Sequence, residues 1–211
     1  RPSGDLFSNN AYFRTMFKLD DPTRMNSYLA TLLCILSLTF SMAQQYETQH
    51  YETIKTLEEA EIRYYPPVMK IKANRAGGFG ALFGYISGKN QLGQKIAMTT
   101  PVYMQKEEGK EVMEFVLPRA FTKEQTPSPL SAEVNVYESQ PGYFIAYAFG
   151  GYALDWVTKK AIKEVQQIAA AHQISLQGDP VVLVYNSPYK LINRKNEVLF
   201  QIDYKAPETT N

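Results

Sequence analysis

An α+β fold built from two similar halves is what the sequence predicts, and three observations predict it. Some stretches alternate apolar and polar residues, as in Val68–Ala73, which is typical of a strand with one buried face. Two other stretches repeat apolar residues at helical spacing. Each of these two follows a double glycine, Gly77-Gly78 or Gly150-Gly151, and is flanked by strand-like runs. Two duplicated βαββ-type units therefore predict a distorted antiparallel barrel of two sheets, flanked by two helices.

The first half is predicted to supply five strands and a short helix. Gly88 and Asn90 are expected to end that helix. Its apolar face follows the spacing i, i+3, i+4, i+7 and consists of Phe79, Leu82, Phe83 and Ile86. The predicted strands are Glu52–Leu57, Glu61–Tyr65, Val68–Ala73, Lys95–Gln105 and Val112–Leu117.

The second half repeats this order after Pro118–Ser131, a loop rich in Pro, Ser and Thr. Its helix is longer, and Gly178-Asp179-Pro180 is expected to stop it. One face of that helix carries Leu154, Val157, Ala161, Ile162, Val165, Ile168 and Ala169. The predicted strands are Glu133–Tyr137, Tyr143–Phe149, Val181–Tyr185 and Val198–Ile202.

The N-terminal region predicts export. Tyr28–Phe40 is a 13-residue run without a charge, shorter than the about 20 apolar residues that a membrane-spanning helix needs. It matches the apolar region of a secretory signal, and Ser41-Met42-Ala43 then offers small residues for cleavage. A buried core helix of the same length is the alternative. We predict a signal peptide at 25–43 and a secreted or periplasmic domain at 44–204, with an uncertain or disordered lead-in at 1–24 and a disordered tail at 205–211.

Charge and cysteine content narrow the function of residues 44–211. These 168 residues carry 18 basic and 18 acidic side chains, so they lack the basic excess that is typical of nucleic-acid binding. Cys34 is the single cysteine and lies in the apolar run. We therefore expect no disulfide and no thiolate metal site after cleavage. We also expect a monomer without a membrane anchor.

Few residues in the mature region are suited to catalysis or zinc binding. Only two histidines remain, His50 and His172, and they do not have the spacing of a ligand pair. His172 is read as a residue that interacts with the dipole at the end of the long helix. The sequence also lacks the Gly-x-Ser-x-Gly pattern of a serine nucleophile.

Several long segments resemble the signature of the SOUL haem-binding protein family. Glu61-Ile62-Arg63-Tyr64-Tyr65 is similar to the opening strand of that family, and the resemblance extends from Tyr51 to Ile202. The segments that carry it are Phe83-Gly84-Tyr85-Ile86-Ser87-Gly88-Lys89-Asn90, Lys95-Ile96-Ala97-Met98-Thr99-Thr100-Pro101-Val102, Phe149-Gly150-Gly151-Tyr152-Ala153, Tyr185-Asn186-Ser187-Pro188-Tyr189 and Asn193-Arg194-Lys195-Asn196-Glu197-Val198.

The resemblance implies a protein that binds haem or another porphyrin, mainly by hydrophobic contact along the first helix. The candidates for this contact are Phe79, Leu82, Phe83 and Ile86, although simple core packing is an equal alternative for this set. Met98 is a candidate for a soft thioether contact, with gap filling in the core as its alternative.

Two further residues are carried over from the family. Some members have a histidine, proposed as an axial iron ligand, where this chain has Tyr64, and a tyrosine can ligate ferric iron as a phenolate. The alternative is a strand tyrosine with a solvated hydroxyl. Lys190 matches a lysine placed near the haem propionates in one branch of the family, and the alternative is a solvated loop charge. A second lysine of that branch corresponds here to Gly84.

Two other functions stay open at this point. Related duplicated folds of the gyrase-inhibitor-like type imply a small-molecule hydrolase, for which Glu114 and Glu197 are the acidic candidates. The family also implies a protein-interaction module. A carboxylate facing aromatic rings in an open pocket would favour the hydrolase.

Overall fold

The computed structural model describes residues 46–204, and within that range the chain forms eleven strands and two helices. The helices are α1 (Arg75–Ile86) and α2 (Asp155–Ala171). The strands are β1 (Glu47–Thr48), β2 (Glu52–Leu57), β3 (Ala60–Tyr65), β4 (Met69–Asn74), β5 (Thr99–Thr100), β6 (Val102–Glu107), β7 (Lys110–Val116), β8 (Asn135–Glu138), β9 (Gly142–Gly150), β10 (Leu176–Val184) and β11 (Lys195–Ile202). The predicted lead-in (1–24), signal peptide (25–43) and tail (205–211) lie outside the described residues. Of the predicted domain at 44–204, residues 46–204 are described.

The duplicated order of elements is confirmed. The first repeat is β4-α1-β6-β7 and the second is β9-α2-β10-β11. They join along β6 and β10, where Tyr103 pairs with Leu183, and the central strand order is β9-β11-β10-β6-β7-β4. When each strand is replaced by the equivalent strand of the other repeat, the same order is obtained in reverse. The two repeats are therefore related by a pseudo-twofold axis through the β6–β10 seam.

The α+β class and the two helices are confirmed, while the arrangement of the sheet differs from a barrel. Nine strands form one antiparallel sheet, with β2 and β3 added beyond β9 and with β8 added beyond β4. The described strands do not close, since β2 and β8 are both edges. A separate parallel pair joins β1 to β5. One sheet results because β6 and β10 pair directly, which merges the two predicted sheets.

Each helix covers its own hydrophobic cluster on the sheet. The α1 cluster includes Ile71 of β4, Leu82 of α1 and Phe115 of β7. The α2 cluster includes Ile145 of β9, Val165 of α2 and Val198 of β11. Strand residues alternate between these clusters and the other face of the sheet, as their period of two requires.

A third buried cluster lies on the other face and spans the seam. It includes Tyr65 of β3, Tyr103 of β6, and Leu183 of β10. Since β3 and β6 are four strands apart in the sheet, a flat sheet would separate them by roughly 19 Å. Their membership of one cluster shows that the sheet curls around this face. The segment before β2 covers part of it, because Tyr51 packs against Tyr65 and Gln49 accepts a hydrogen bond from the Tyr103 hydroxyl at 2.5 Å.

No helix within residues 46–204 is long and apolar enough to cross a membrane.

Candidate functional site

Helix α1 divides the predicted apolar face into a buried part and an exposed part. Leu82 and Ile86 are buried in the α1 cluster, together with Tyr85. Phe79 and Phe83 are each 51% exposed. Successive residues turn by about 100° around a helix, so the sheet covers the side that carries 82, 85 and 86. Phe79 and Phe83 lie on the flank of that side, where the sheet no longer covers them.

The two phenylalanines form a flat aromatic surface. Their ring centroids are 5.9 Å apart and their planes differ by 8°, which is a stacked arrangement. Phe79 also meets the buried Phe115 edge to face, with centroids 5.6 Å apart. This contact fixes Phe79 against the core, and Phe83 is fixed by stacking on Phe79. The exposed apolar rings are therefore held in place before any ligand arrives.

Two glycines lie next to these rings on the exposed side of α1. A methyl group added at Gly80 would meet nothing within 4 Å, so the helix backbone is bare there. Gly80 and Gly84 line one wall of a groove of about 370 Å³, and Leu130 and Val134 of the connecting segment line the other. We name the surface formed by Phe79, Gly80, Phe83 and Gly84 the α1 face.

Lys89 supplies a cation beside this surface. A methyl group added at Gly84 would lie 3.2 Å from Cδ of Lys89, so the lysine stem crosses the space that a larger residue at 84 would occupy. Lys89 is exposed and lines the groove, as does Glu133. The described residues show no ion pair for Lys89.

A buried asparagine builds the turn that carries Lys89. The Asn90 amide group donates to the carbonyls of Tyr85 and Gln94, at 3.0 and 2.7 Å. Its oxygen accepts from the backbone N–H groups of Leu92 and Gln94. All four hydrogen-bonding positions of the side chain are thus used, and the chain is folded back onto the end of α1. Asn90 lies in a segment that resembles the family, and the Gly88-Lys89-Asn90 turn is the sequence signal that could have predicted this role.

Tyr64 lies in a different environment from the α1 face. Its ring packs on Tyr143, with centroids 5.2 Å apart, and Tyr143 packs in turn on Tyr204 at 5.2 Å. Tyr143 borders the α2 cluster, whereas α1 covers its own cluster. The structure therefore does not bring Tyr64 together with Phe79 and Phe83 in one cluster, and its role as an iron ligand stays a prediction.

Met98 and Lys190 occupy two further places. Met98 is partly buried and packs against the α1 cluster beneath the helix. Lys190 is exposed on the loop between β10 and β11. Arg194 shapes that loop, because its Nη1 atom donates to the carbonyls of Ser187 and Lys190, both at 2.7 Å. Lys190 thus sits on a loop whose backbone is fixed.

The candidate carboxylate Glu197 is fully buried and completely engaged. Arg63 donates to its two oxygens, at 2.9 and 3.1 Å, and the Tyr185 hydroxyl donates at 2.6 Å. Lys195 lies 3.1 Å from it. Burial raises the pKa of Glu197, but the hydrogen bonds and charge of Arg63 outweigh burial and bring the pKa below its ordinary value. A partnered anion of this kind is poorly suited to the role of a general base.

Glu114 occupies the equivalent strand of the first repeat and is also enclosed. It accepts hydrogen bonds from Lys70 at 3.2 Å, from Gln105 at 2.9 Å and from the Tyr137 hydroxyl at 2.7 Å. Lys70 in addition lies 3.3 Å from the centre of the Tyr103 ring. Burial lowers the pKa of the Lys70 ammonium, and Glu114 partly offsets this effect. Side chains close both carboxylates off, which counts against the hydrolase alternative.

The histidines do not approach the α1 face through any contact that the structure records. His172 ends α2 and lies 3.9 Å from Glu58, a contact that is ionic only when the imidazole is protonated. Among residues 46–204 there is no group of three or more His, Cys, Asp or Glu side chains that would hold a metal ion. The α1 face therefore offers apolar contact and charge, with no ready set of metal ligands.

Comparison with known proteins places this geometry in a family. The family model described as SOUL heme-binding protein matches residues 46–201. Heme-binding protein 2 of Homo sapiens is 28% identical over 160 residues, which cover 65% of this chain and 75% of the human protein.

Two solved structures show weaker similarity. The EcmrR C-terminal domain has a TM-score of 0.49 at 11% identity, covering 72% of this chain and 98% of that one. A hydrolase from Listeria innocua has a TM-score of 0.48 at 10% identity, covering 71% and 94%. The family match spans nearly all the described residues, and it includes α1, the Asn90 turn and the loop shaped by Arg194. The chain belongs to the SOUL haem-binding protein family.

Proposed function

We propose that this protein binds haem or another porphyrin on the α1 face, mainly by hydrophobic contact, and acts as a carrier outside the cytoplasm. The observation that carries the proposal is the stacked, half-exposed pair Phe79 and Phe83 beside the bare backbone at Gly80. A porphyrin is a large flat apolar ring. A flat aromatic surface next to a side-chain-free stretch of helix suits close contact with such a ring.

The strength of this contact follows from the exposed area. A half-exposed phenylalanine leaves about 100 Å² to be covered. At about 25 cal/mol per Å², each ring would contribute about 2.5 kcal/mol on full burial. Complete loss of one ring's contribution should then weaken binding by about 60-fold, since 1.4 kcal/mol corresponds to a factor of ten. Leu82 and Ile86 contribute by supporting the helix from below, because both are buried.

The charged edge of a porphyrin needs cations. Haem carries two propionates, and Lys89 lies at the edge of the groove with its ammonium exposed. Lys190 is the second candidate, on its fixed loop. Neither lysine needs to break an ion pair among the described residues to reach a propionate.

Titration of the protein with haemin and with metal-free protoporphyrin tests the proposal. We expect saturable binding of both, followed by the Soret band for haemin and by fluorescence for protoporphyrin. Phe79→Ser/Phe83→Ser should weaken both by more than tenfold. Trp156→Ser removes a more exposed aromatic ring, 70% exposed against 51%, from α2 and serves as the control. Absence of saturable binding to either compound would reject a porphyrin-binding function.

The same titration distinguishes hydrophobic contact with the porphyrin ring from coordination of the haem iron by Tyr64. If hydrophobic contact dominates, haemin and protoporphyrin bind with similar affinity and Tyr64→Phe leaves the Soret spectrum unchanged. A changed spectrum in Tyr64→Phe would instead assign iron ligation to that phenolate. Lys89→Gln and Lys190→Gln should weaken binding of protoporphyrin but not of its dimethyl ester, which lacks the carboxylates.

Export rests on the signal-like segment at 25–43. N-terminal sequencing of protein recovered outside the producing cell should begin near Gln44 if cleavage follows Ala43. A chain that keeps residues 25–43 and stays inside the cell would remove the extracytoplasmic part of the proposal and leave the porphyrin-binding part intact.

A further inference from the structure

A second exposed apolar surface lies on the loop between β10 and β11. Tyr189, Leu191 and Ile192 are 89, 77 and 75% exposed. Exposed apolar residues that occur singly need no explanation, but a cluster of them marks an interaction site. Three large apolar side chains within four residues of one loop form such a cluster.

The loop is built to hold these side chains outward. Nη1 of the buried Arg194 donates to two loop carbonyls, and the Oδ1 atom of Asn186 accepts from the backbone N–H of Lys195 at 2.7 Å. The guanidinium of Arg194 also stacks on Tyr152, 4.1 Å from the ring centre. A loop fixed in this way loses little conformational entropy when its tip is buried by a partner.

Tyr152 extends the surface to the start of α2. Its hydroxyl donates to the carbonyl of Pro188 at 3.2 Å, which ties the two segments together. Leu154 and Trp156 follow two and four residues later, and they are 52 and 70% exposed. Trp156 is the single tryptophan of the chain. We name residues 152–160 and 185–196 together the basic apolar patch.

Charge distinguishes this patch from the rest of the molecule. It contains five cationic residues and one carboxylate, Asp155. The remainder of residues 46–204 carries 12 cationic and 16 acidic residues. Lys159, Lys160 and Lys190 are exposed cations of the patch, whereas Arg194 is buried and Lys195 pairs with Glu197 at 3.1 Å. The patch therefore combines a net positive exposed charge, three lysines against Asp155, with highly exposed apolar side chains.

We propose that the basic apolar patch docks this protein onto an anionic membrane surface. Trp and Tyr favour the level of the lipid headgroups, aliphatic tips enter the acyl boundary, and lysines pair with anionic headgroups. A second copy of the chain fits less well. Two-fold pairing would bring the same patch on each copy together and place like charges in contact.

Fluorescence of Trp156 tests the docking directly, because the side chain is exposed in solution and reports a less polar environment by a blue shift. The protein is mixed with vesicles of phosphatidylcholine alone, or with about one third phosphatidylglycerol to supply negative charge. We expect a blue shift and quenching by brominated lipid in the anionic vesicles, and a much weaker response in the neutral ones. The apolar run at 28–40 contains no tryptophan, so this signal does not report that run.

Substitutions test whether the basic apolar patch is the surface that docks onto the membrane. Leu191→Ser/Ile192→Ser should lower the partition coefficient by about tenfold or more, since it removes two aliphatic side chains from the acyl boundary. Leu92→Ser/Leu130→Ser changes two leucines that are 70 and 68% exposed outside the patch and should have no effect. Far-UV circular dichroism verifies that both variants stay folded.

Several results would overturn the docking proposal. They are the absence of a shift with anionic vesicles, an equal shift with neutral vesicles, and retained binding in Leu191→Ser/Ile192→Ser. A blue shift that develops with protein concentration alone, without vesicles, would assign the patch to self-association instead. None of these outcomes depends on porphyrin binding, so the two proposals fail separately.

Discussion

At the scale of single residues, two buried carboxylates organise the inner face of the sheet. Glu197 of β11 and Glu114 of β7 lie on equivalent strands of the two repeats, and each is matched to a cation and to tyrosine hydroxyls. A buried ion of this kind is costly to leave unpaired, and its removal typically costs 3–5 kcal/mol when the partner remains. We infer that these groups hold the curled sheet in register.

Glu197→Gln should therefore lower the free energy of unfolding by about 2–3 kcal/mol at neutral pH, because it removes the buried countercharge of Arg63 and leaves only the partly exposed Glu61, at 2.7 Å, as its carboxylate partner. The pKa of Glu197 lies below its ordinary value of 4.5 in the folded state. Its contribution to stability is therefore fully present above about pH 4.5 and is lost as the pH falls through the folded-state pKa. Urea unfolding measured across this range should show the gap between wild type and variant closing only in acid.

Glu138→Gln is the matched control for this series, since Glu138 is an exposed strand residue. Its effect should stay within about 0.5 kcal/mol. A gap between wild type and Glu197→Gln that does not change with pH would contradict the assignment of a lowered pKa.

At the residue scale, the roles of some buried polar side chains could not be predicted from sequence patterns. Asn90, Arg63 and Arg194 all lie in the segments that resemble the family. The role of Arg63 depends on Glu197, 134 positions further along the chain, whereas Asn90 and Arg194 bond to backbone groups within eight residues of themselves. A pattern of apolar periodicity carries no information about such pairs. The sequence therefore predicted strands around these residues and could not predict their contacts.

At the scale of elements, both helices end in the same way. The backbone N–H of Lys89 donates to Gly84 and that of Gly88 donates to Tyr85, at 2.9 and 3.2 Å. The corresponding bonds after α2 run from Ile174 to Ala169 and from Gln173 to Ala170, at 2.8 and 3.1 Å. This pair of bonds is the Schellman motif, whose C′ residue takes a positive φ. Gly88 fills that position after α1, whereas Gln173 fills it after α2 with φ of 55°.

Substitutions at these two positions should have opposite effects. Gly88→Ala should lower the free energy of unfolding by about 1–2 kcal/mol, because its φ is 109° and the added methyl group would lie 3.2 Å from the Gly93 carbonyl oxygen. Gln173→Gly should raise it by about 0.5–1 kcal/mol by relieving the left-handed conformation. Urea unfolding measures both changes.

Gln166→Gly provides the control for the second change. Gln166 is exposed inside α2, where glycine should cost about 1 kcal/mol. If Gln173→Gly destabilised the protein as much as Gln166→Gly does, strain at the end of α2 would not be the cause.

Helix α1 illustrates how far periodicity predicts an element. The spacing of Phe79, Leu82, Phe83 and Ile86 correctly placed a helix with an apolar side, but it suggested one uniform face. The structure buries Tyr85 with Leu82 and Ile86, since the Tyr85 hydroxyl reaches the Pro127 carbonyl at 2.5 Å. The phenylalanines are left on the flank. The apolar spacing omitted Tyr85 because its hydroxyl is polar, although its ring is buried. The position of the sheet beneath the helix decides which residues stay exposed.

At the scale of the whole molecule, the repeats were predicted from the double glycines but their joint sheet was not. Strand pairing across the seam is fixed by the register of β6 on β10, which no local pattern encodes. The strand β10 also starts earlier than predicted, at Leu176. Its register shifts between Gln177 and Val181, and Pro180 is tolerated because β6 pairs only with residues 182–184. The turn signal Gly178-Asp179-Pro180 therefore marks an irregularity within a strand.

A shared sheet and a shared inner cluster predict that the two repeats unfold as one cooperative unit. Ile71→Ala removes a fully buried side chain from β4 in the first repeat and should cost about 2–5 kcal/mol. Amide hydrogen exchange should show that β11, in the second repeat, loses as much protection as β4 and β7, because all three exchange through the same global opening. Ile54→Ala, at an exposed position of β2, should leave all three unchanged. If Ile71→Ala weakened β4 and β7 while β11 kept its protection, the repeats would open separately, and the β6–β10 seam would be a weak joint between two independent units.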